Sequence, residues 1–191
     1  LYNGPVFEIQ PGTVVVGGGL ASIDVIKIVQ LELYERALRA RGIDDIDMHE
    51  MEHAGIPKYC ASKGIDDPAS LGVEPGILLY RRRVEDMPLA SAPKGAKQKV
   101  IDRIPMVRKK ILDKCLKKFL FVFEPQRLTK EITIEDGHLT GLVLYKTEIE
   151  GRNVTTIEGS EHELRTSLVI SSIGSVPEAI AGLKMKGAYY T

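Results

Sequence analysis

The stretch that decides the fold runs from Gly12 to Gly42, GTVVVGGGLASIDVIKIVQLELYERALRARG. It begins with β-branched residues, Thr13 to Val16, which predict a short buried strand. Three consecutive glycines predict a tight turn, and a helix of about twenty residues follows and ends near Gly42. Along that helix apolar residues recur at three- and four-residue spacing, so one face is predicted to pack on a sheet. The stretch is therefore predicted to open a βαβ unit.

The rest of the chain continues to alternate strands with helices. Residues 44–76 are polar and turn-rich, which predicts short helices in an insertion before the next strand, Ile77 to Tyr80. A basic helix interrupted near Pro105 and the strand FLFVFE follow, and the stretch from Lys130 alternates apolar and polar residues between turn signals. A last apolar strand is predicted from Leu168 to Ile173. This order predicts an α/β, Rossmann-like fold: a mostly parallel sheet with flanking helices and a β-meander crossover.

Composition limits the classes of partner. Lys plus Arg and Asp plus Glu each number 26, so no net field draws the chain to nucleic acid or to an anionic membrane. No apolar run reaches the roughly 18 residues that a bilayer crossing needs. Neither Cys60 nor Cys115 belongs to a CxxC pair, which excludes a thioredoxin-type motif within the chain and any zinc site evident from the sequence. The first residues lack a signal-peptide profile, and we expect a cytoplasmic protein of which this chain is one part.

The glycine turn carries the first candidate site. Gly17, Gly19 and Ser22 occupy the three small-residue positions of a GxGxxG/A motif, which needs a tight turn, close approach of a pyrophosphate and close packing of helix on strand. Between them lie Gly18, Leu20 and Ala21, which complete the predicted cofactor-binding turn. The N–H groups and positive dipole end of the following helix would hold the phosphates. Two alternatives stay open: a loop that serves only chain reversal, and a different nucleotide ligand.

The second candidate site is the arginine run that follows Tyr80. A ribose 2′-phosphate requires arginine near the end of the second strand, where an NAD-binding protein has an acidic residue. Arg81 and Arg82 are the predicted ligands because a guanidinium binds phosphate through two parallel hydrogen bonds. The alternative is a solvated basic turn partly neutralised by Glu85 and Asp86. The phosphate-binding interpretation requires residues 44–76 to leave the sheet and return beside the first strand.

Three segments together resemble a known family. VVVGGGLASID is similar to the second glycine motif of flavoproteins that include the glutamate synthase small subunit, adrenodoxin-type ferredoxin reductases and dihydropyrimidine dehydrogenase. YRRRVEDMP resembles their arginine segment, and GSEHELRTSLVISSIG resembles their crossover into the last strand. One departure is Leu20, which stands where many relatives have Asn or Asp. The resemblance implies cofactor roles for the following residues: Gly17, Gly19, Ser22, Arg81, Arg82 and Gly174.

The resemblance further implies the NADPH-binding domain of an FAD-dependent pyridine nucleotide oxidoreductase, inserted between two halves of an FAD domain. Residues 1–12 would be a connector from the FAD domain, residues 13–174 the NADP(H)-binding domain and residues 175–191 the return connector. Hydride would pass from NADPH to FAD outside this chain, so no catalytic residue is assigned within it. The implied partners are the FAD domain of the same polypeptide and an electron acceptor such as an iron–sulfur protein or domain.

Two alternatives belong to other functional classes. A non-catalytic NADP(H)-sensing or docking module would lack flavin motifs on both sides of this segment. A Rossmann methyltransferase is disfavoured, because an acidic residue rather than arginine should end its second strand.

The sequence HEMEH, residues 49–53, raises the possibility of a zinc site. His49, Glu50 and His53 match the HExxH motif of zinc proteases, with Glu50 in the general-base position. Such a protease needs a third ligand downstream and an apolar helix, whereas here the flanks are polar and Gly55 and Pro57 follow closely. We therefore expect a solvent-facing or partner-facing helix without metal.

Overall fold

The computed structural model describes residues 7–174, 178–186 and 189–190; residues 1–6 of the first predicted connector and residues 175–177, 187–188 and 191 of the second thus lie outside the described residues. The helices are α1 (Leu20–Ala40), α2 (Met48–Ala54), α3 (Ile56–Ser62), α4 (Gln98–Ile101) and α5 (Ile104–Phe119), with 3-10 turns at Pro68–Leu71 and Val84–Asp86. The strands are β1 (Val14–Val16), β2 (Ile77–Tyr80), β3 (Val122–Pro125), β4 (Arg127–Glu135), β5 (His138–Glu150), β6 (Asn153–Thr156), β7 (His162–Arg165), β8 (Val169–Ser171), β9 (Met185–Lys186) and β10 (Tyr189–Tyr190). None of the helices in the described residues is both long and apolar enough to cross a bilayer.

Four strands form a parallel sheet in the order β3-β2-β1-β8. β2 lies directly beside β1, with Val15 opposite Leu78 and Val16 opposite Leu79. Between α1 and β2 the chain forms α2, α3 and the first 3-10 turn, so it leaves the sheet and returns to it. The predicted fold class, a Rossmann-like α/β fold with a mostly parallel sheet, is confirmed.

The parallel sheet is covered on both faces. Val15 and Leu78 are fully buried in a cluster with apolar residues of α1, α3 and α5. Val14 and Leu79 project from the opposite face and pack against Leu142 and Leu144 of β5. A sheet buried on both sides needs apolar residues at consecutive positions, which explains the unbroken VVV and ILLY runs.

The second layer is the meander predicted from the alternating pattern. β5 pairs antiparallel with β4, β6 and β7, and the β4–β5 turn lies at Asp136 and Gly137, both with positive φ. The chain therefore crosses from β3 to β8 by way of this antiparallel sheet. β8 then pairs with β1, with Val14 opposite Val169 and Val15 opposite Ile170.

Two strand predictions were too long. The FLFVFE strand begins only at Val122, because α5 continues to Phe119 and ends at Leu120 in the left-handed conformation, φ 59°. The last strand covers Val169–Ser171, and Ile173, predicted to be part of it, is 75% exposed.

A buried glutamine explains where α5 ends. Gln30, on α1, is fully buried, and its Nε2 donates to the carbonyl oxygens of Phe119 at 3.1 Å and Leu120 at 2.8 Å. Its Oε1 accepts a hydrogen bond from the Gly76 N–H at 2.7 Å. Buried backbone groups need such partners, so this one amide fixes the end of α5 and the start of β2 relative to α1.

Candidate nucleotide-binding site

The two candidate segments lie at the same edge of the parallel sheet. The glycine turn, residues 17–22, follows β1, and the arginine turn, residues 81–86, follows β2. Parallel neighbouring strands end at a common edge, and the ring of Tyr80 packs against the backbone of Gly18. The fold therefore brings the two predicted motifs together, at the edge where open α/β sheets bind ligands.

Gly17 is required by close packing. A Cβ placed on it would lie 2.2 Å from Ser22 Oγ and 2.4 Å from the carbonyl oxygen of Ser172, and its φ of 156° disfavours other residues. Ser22 is fully buried, and its hydroxyl donates to that same carbonyl at 3.0 Å. The Gly17 N–H in turn donates to the carbonyl of Leu79 at 3.0 Å. These contacts join the ends of β1, β2 and β8 to the start of α1.

The other two glycines face different surroundings. A Cβ on Gly18 would lie 2.2 Å from the Tyr80 ring, whereas a Cβ on Gly19 would meet only Pro88, at 4.0 Å. Gly17 and Gly18 therefore serve packing, while the side of Gly19 is open. Burial raises the pKa of Tyr80, and its hydroxyl donates to the carbonyl of Asp86 at 3.1 Å, which ties the glycine turn to the arginine turn.

The start of α1 is open to a ligand. Gly19 is the N-cap in an extended conformation, and it offers no side chain to the first N–H groups of the helix. The first turn, all of it within the described residues, has no acidic side chain, and Leu20 is 58% exposed. Helix-start N–H groups lack intrahelical partners and lie at the positive end of the helix dipole, so this end suits an anion.

The three arginines have different environments. The side chain of Arg81 is exposed and has no hydrogen bond or ion pair within the part of the chain that the structure describes. Arg82 is only 19% exposed, and its guanidinium donates to the carbonyls of Gly151 at 2.8 Å and Arg152 at 3.0 Å, in the β5–β6 turn. Arg83 pairs with Asp86, its Nε lying 3.1 Å from Oδ2. Arg81 thus offers a free guanidinium, and Arg82 joins the arginine turn to the meander.

Asp86 is the carboxylate of this turn that pairs with two of the arginines. Burial disfavours its charge, but the hydrogen bond from Arg83 and the charges of Arg83 and Arg82 outweigh that effect and lower the pKa of the carboxyl. A basic turn partly neutralised by Glu85 and Asp86 was the alternative to phosphate binding in the sequence, and the structure has Asp86 paired with Arg83 and Arg82.

Two further contributors escaped sequence reasoning. Arg108, on α5, donates from Nε to the carbonyl of Ala90 at 2.9 Å and from Nη1 to the carbonyl of Glu85. Ser172 supplies the carbonyl that Ser22 binds. Both contacts join residues that lie far apart in the chain, for which the sequence carries no local signal.

Gly174 lies two residues beyond Ser172, after the carboxyl end of β8. It has a φ of 96°, and a Cβ placed on it would meet no atom within 4 Å. Its position after β8 is compatible with a surface next to the glycine turn.

The HEMEH letters fall on α2. The Asp47 side chain caps this helix by accepting from the N–H groups of Glu50 and His49, which lower its pKa. Met51 is fully buried, while His49 and His53 are exposed. Among the described residues, no three His, Cys, Asp or Glu side chains come together in a group that could hold a metal ion.

The strand order, the covered sheet and the glycine turn define the class of domain: a Rossmann-like α/β domain with an antiparallel meander in its last crossover. No family model matches the sequence, and no curated protein matches it. Among solved structures, a single-residue variant of FprA from Mycobacterium tuberculosis has the same fold, with a TM-score of 0.55 and 17% identity. M. tuberculosis FprA in complex with NADPH gives a TM-score of 0.52 and 16% identity. Both alignments cover 91% of this chain and 41% of FprA, so the chain corresponds to less than half of that oxidoreductase.

Proposed function

We propose that this chain is the NADPH-binding domain of an FAD-dependent oxidoreductase and that residues 13–174 form it, with 44–76 as a helical insertion. One observation carries the proposal. A helix start without a side-chain cap and an arginine without an ion pair among the described residues lie at the same edge of the sheet. Gly19 and the start of α1 provide N–H groups, and Arg81 provides a free guanidinium at the end of the adjacent strand. A dinucleotide with a 2′-phosphate carries anions that both features suit.

The residues of the glycine turn fit a pyrophosphate. Gly17 and Ser22 hold the turn in place through close packing. The open side of Gly19 leaves room for a bulky anion, and a Cβ on this residue would take up part of that room. Gly18, Leu20 and Ala21 complete the turn, with Leu20 and Ala21 exposed beside the helix start. The anion would be bound by backbone N–H groups and the helix dipole and would not need a lysine or arginine.

In the arginine turn, Arg81 and Arg82 would contribute differently to binding a 2′-phosphate. Arg81 is free to form two parallel hydrogen bonds with a phosphate. Arg82 already binds two carbonyls, so in this arrangement it adds positive potential and positions the turn, with one ion-pair distance of 3.7 Å to Asp86. Arg81 is therefore the residue on which we expect NADPH preference to depend most.

Bound NADPH would supply a hydride to FAD, which the proposal assigns to domain halves outside this chain. FprA is an oxidoreductase more than twice as long as its aligned part, which supports a further domain in the complete protein. Within this chain the residues would bind and orient the dinucleotide, and we assign Gly174, which follows β8, to its nicotinamide end.

The test is titration of the protein with NADPH and with NADH. The wild-type chain should prefer NADPH, and Arg81→Ala should weaken NADPH binding about 10- to 100-fold, the equivalent of a charged hydrogen bond or two, while leaving NADH binding unchanged. Arg103→Ala, which removes an equal charge from an exposed position at the start of α5, is the matched control and should have no effect. Equal affinity of the wild type for both dinucleotides would rule out the arginine assignment.

A second measurement separates the enzyme from a non-catalytic NADP(H) sensor. The complete polypeptide should purify with a flavin absorption spectrum that NADPH bleaches under anaerobic conditions. The isolated chain should bind NADPH without flavin and without turnover. A complete polypeptide that binds NADPH but contains no flavin would favour the sensor.

A further inference from the structure

A basic cleft lies away from the glycine turn, between α5 and the junction of α2 with α3. Its volume is about 820 Å³. Its lining consists of Ala54, Gly55, Pro57, His53, Asp113 and five lysines: Lys58, Lys110, Lys114, Lys117 and Lys118. We call this feature the lysine cleft.

Close backbone packing closes one end of the lysine cleft. Gly55 has a φ of 90°, and a Cβ on it would lie 2.6 Å from Lys118 Cγ and 3.2 Å from the Lys118 carbonyl oxygen. The α2–α3 junction is therefore pressed against the last turn of α5. Because α5 leads into the amino end of β3, this end of the cleft lies at the sheet edge opposite the glycine turn.

The charge of the lysine cleft is not compensated. Within the described residues none of its five lysines forms an ion pair, although the chain as a whole is neutral and other basic side chains, such as Lys27 and Arg83, are paired. Asp113 is the one carboxylate among the lining residues. Glu52 lies near enough to sense Lys118, but its pKa is lowered chiefly by the hydrogen bond from Lys27, which it accepts at 2.8 Å.

We propose that the lysine cleft binds an acidic polypeptide segment in an extended conformation. Lys110, Lys114 and Lys118 succeed one another by one helical turn, about 6 Å along the axis of α5. Alternate residues of an extended chain lie on one side at intervals of about 6.6 Å, so carboxylates at every second position match this spacing. A segment with three such carboxylates would span the cleft and complement its unpaired lysines.

The same features disfavour other polyanions. The lining contains no Phe, Tyr or Trp on which a nucleic-acid base could stack and no arginine to contact a base edge. A concave site also fits a flat membrane surface poorly. The proposal does not depend on the nucleotide function, since none of the residues that line the cleft belongs to the glycine turn or to the arginine turn.

The test is fluorescence anisotropy with a fluorescein-labelled peptide in which four glutamates alternate with serines. The wild-type chain should bind it saturably and more weakly as salt is raised, and the same peptide with glutamines in place of glutamates should not bind. Reversing three cleft charges, Lys110→Glu, Lys114→Glu and Lys117→Glu, should weaken binding at least about tenfold. The matched control reverses three exposed lysines elsewhere, Lys94→Glu, Lys97→Glu and Lys99→Glu, and should change binding less than about threefold.

A second, milder variant keeps the test valid if the variant with three reversed charges does not fold. Lys114→Gln with Lys117→Gln only neutralises two exposed side chains and should weaken peptide binding by about threefold with unchanged thermal unfolding. Absence of saturable binding by the wild type, or equal losses in the cleft variant and its control, would overturn the proposal. So would tighter binding of a single-stranded oligonucleotide or of phosphatidylserine vesicles than of the peptide.

Discussion

Two neighbouring turns at one edge of the sheet are held in opposite ways. In the glycine turn, Gly17 and Gly18 leave no room for a Cβ, and two side chains pack there: the hydroxyl of Ser22 donates to the Ser172 carbonyl, and the ring of Tyr80 lies against Gly18. In the arginine turn, long side chains make the contacts: Arg82 reaches the β5–β6 turn, Arg83 reaches Asp86, and Arg108 reaches in from α5. One turn is fixed by small residues and the other by charged ones.

This difference has a consequence for ligand binding. A turn fixed by its own backbone can present N–H groups and the open side of Gly19 without any side chain in the way. A turn fixed by arginines has to use some of them for structure, and it leaves Arg81 as the free one. The two turns therefore have different proposed roles: the glycine turn binds the pyrophosphate through its backbone, and the arginine turn binds the 2′-phosphate through one side chain.

The largest expected effect comes from breaking the packing of the glycine turn. Gly17→Ala places a Cβ within 2.4 Å of both Ser22 Oγ and the Ser172 carbonyl. We expect it to lower the free energy of unfolding by about 3 kcal/mol, because backbone at three elements would have to shift. Urea denaturation at an unchanged slope would measure the loss.

Gly19→Ala is the matched control. Its Cβ meets only Pro88 at 4.0 Å, and its φ of −88° suits alanine. The free energy of unfolding should fall by at most about 1 kcal/mol, the usual cost of alanine at a helix N-cap. NADPH binding should nevertheless weaken, because the new Cβ occupies the open side. A Gly19→Ala loss of stability as large as that of Gly17→Ala would show that the two glycines do not differ as described.

The sequence was sufficient for the features that local rules determine. Uninterrupted apolar runs predicted strands buried on both faces, and the glycines predicted the turn, because only small residues fit there. The end of α5 could not be predicted in this way. It is set by the amide of Gln30, which lies 89 residues earlier in the chain than Phe119, and no local signal announces that contact.

The arginine turn shows the same limit within the site. Arg81 and Arg82 are adjacent residues of the same type, and the sequence predicted that both bind the phosphate. What distinguishes them is the β5–β6 turn, about 70 residues later, whose carbonyls bind Arg82 alone. The position of such a remote turn depends on how the meander packs on the sheet, which residue patterns do not specify.

A smaller effect should follow from removing the hydrogen bonds by which Arg82 joins the arginine turn to the β5–β6 turn. Arg82→Ala breaks two hydrogen bonds from a largely buried guanidinium and leaves the Gly151 and Arg152 carbonyls to water. We expect a loss of about 1–2 kcal/mol in the free energy of unfolding, and Arg81→Ala should change it by less than about 0.5 kcal/mol. Thermal denaturation of both variants under one buffer condition would compare them. Equal losses would mean that the two arginines share one structural role.

The smallest effect concerns the pH dependence of the arginine turn. The pKa of Asp86 is lowered in the folded chain from an ordinary value of 3.8, so its contribution to stability is complete above that value and is lost as the pH falls through the lower folded pKa. The stability advantage of the wild type over Asp86→Asn should therefore be constant above about pH 5 and should shrink below about pH 4. Urea denaturation of both proteins from about pH 3 to about pH 7 would measure how this advantage changes, and the difference between wild type and Gly17→Ala should not show the same decline. An advantage that stays constant or grows in acid would mean that the charge of Asp86 does not stabilise this turn, and the contrast between a backbone-fixed and a charge-fixed turn would fail.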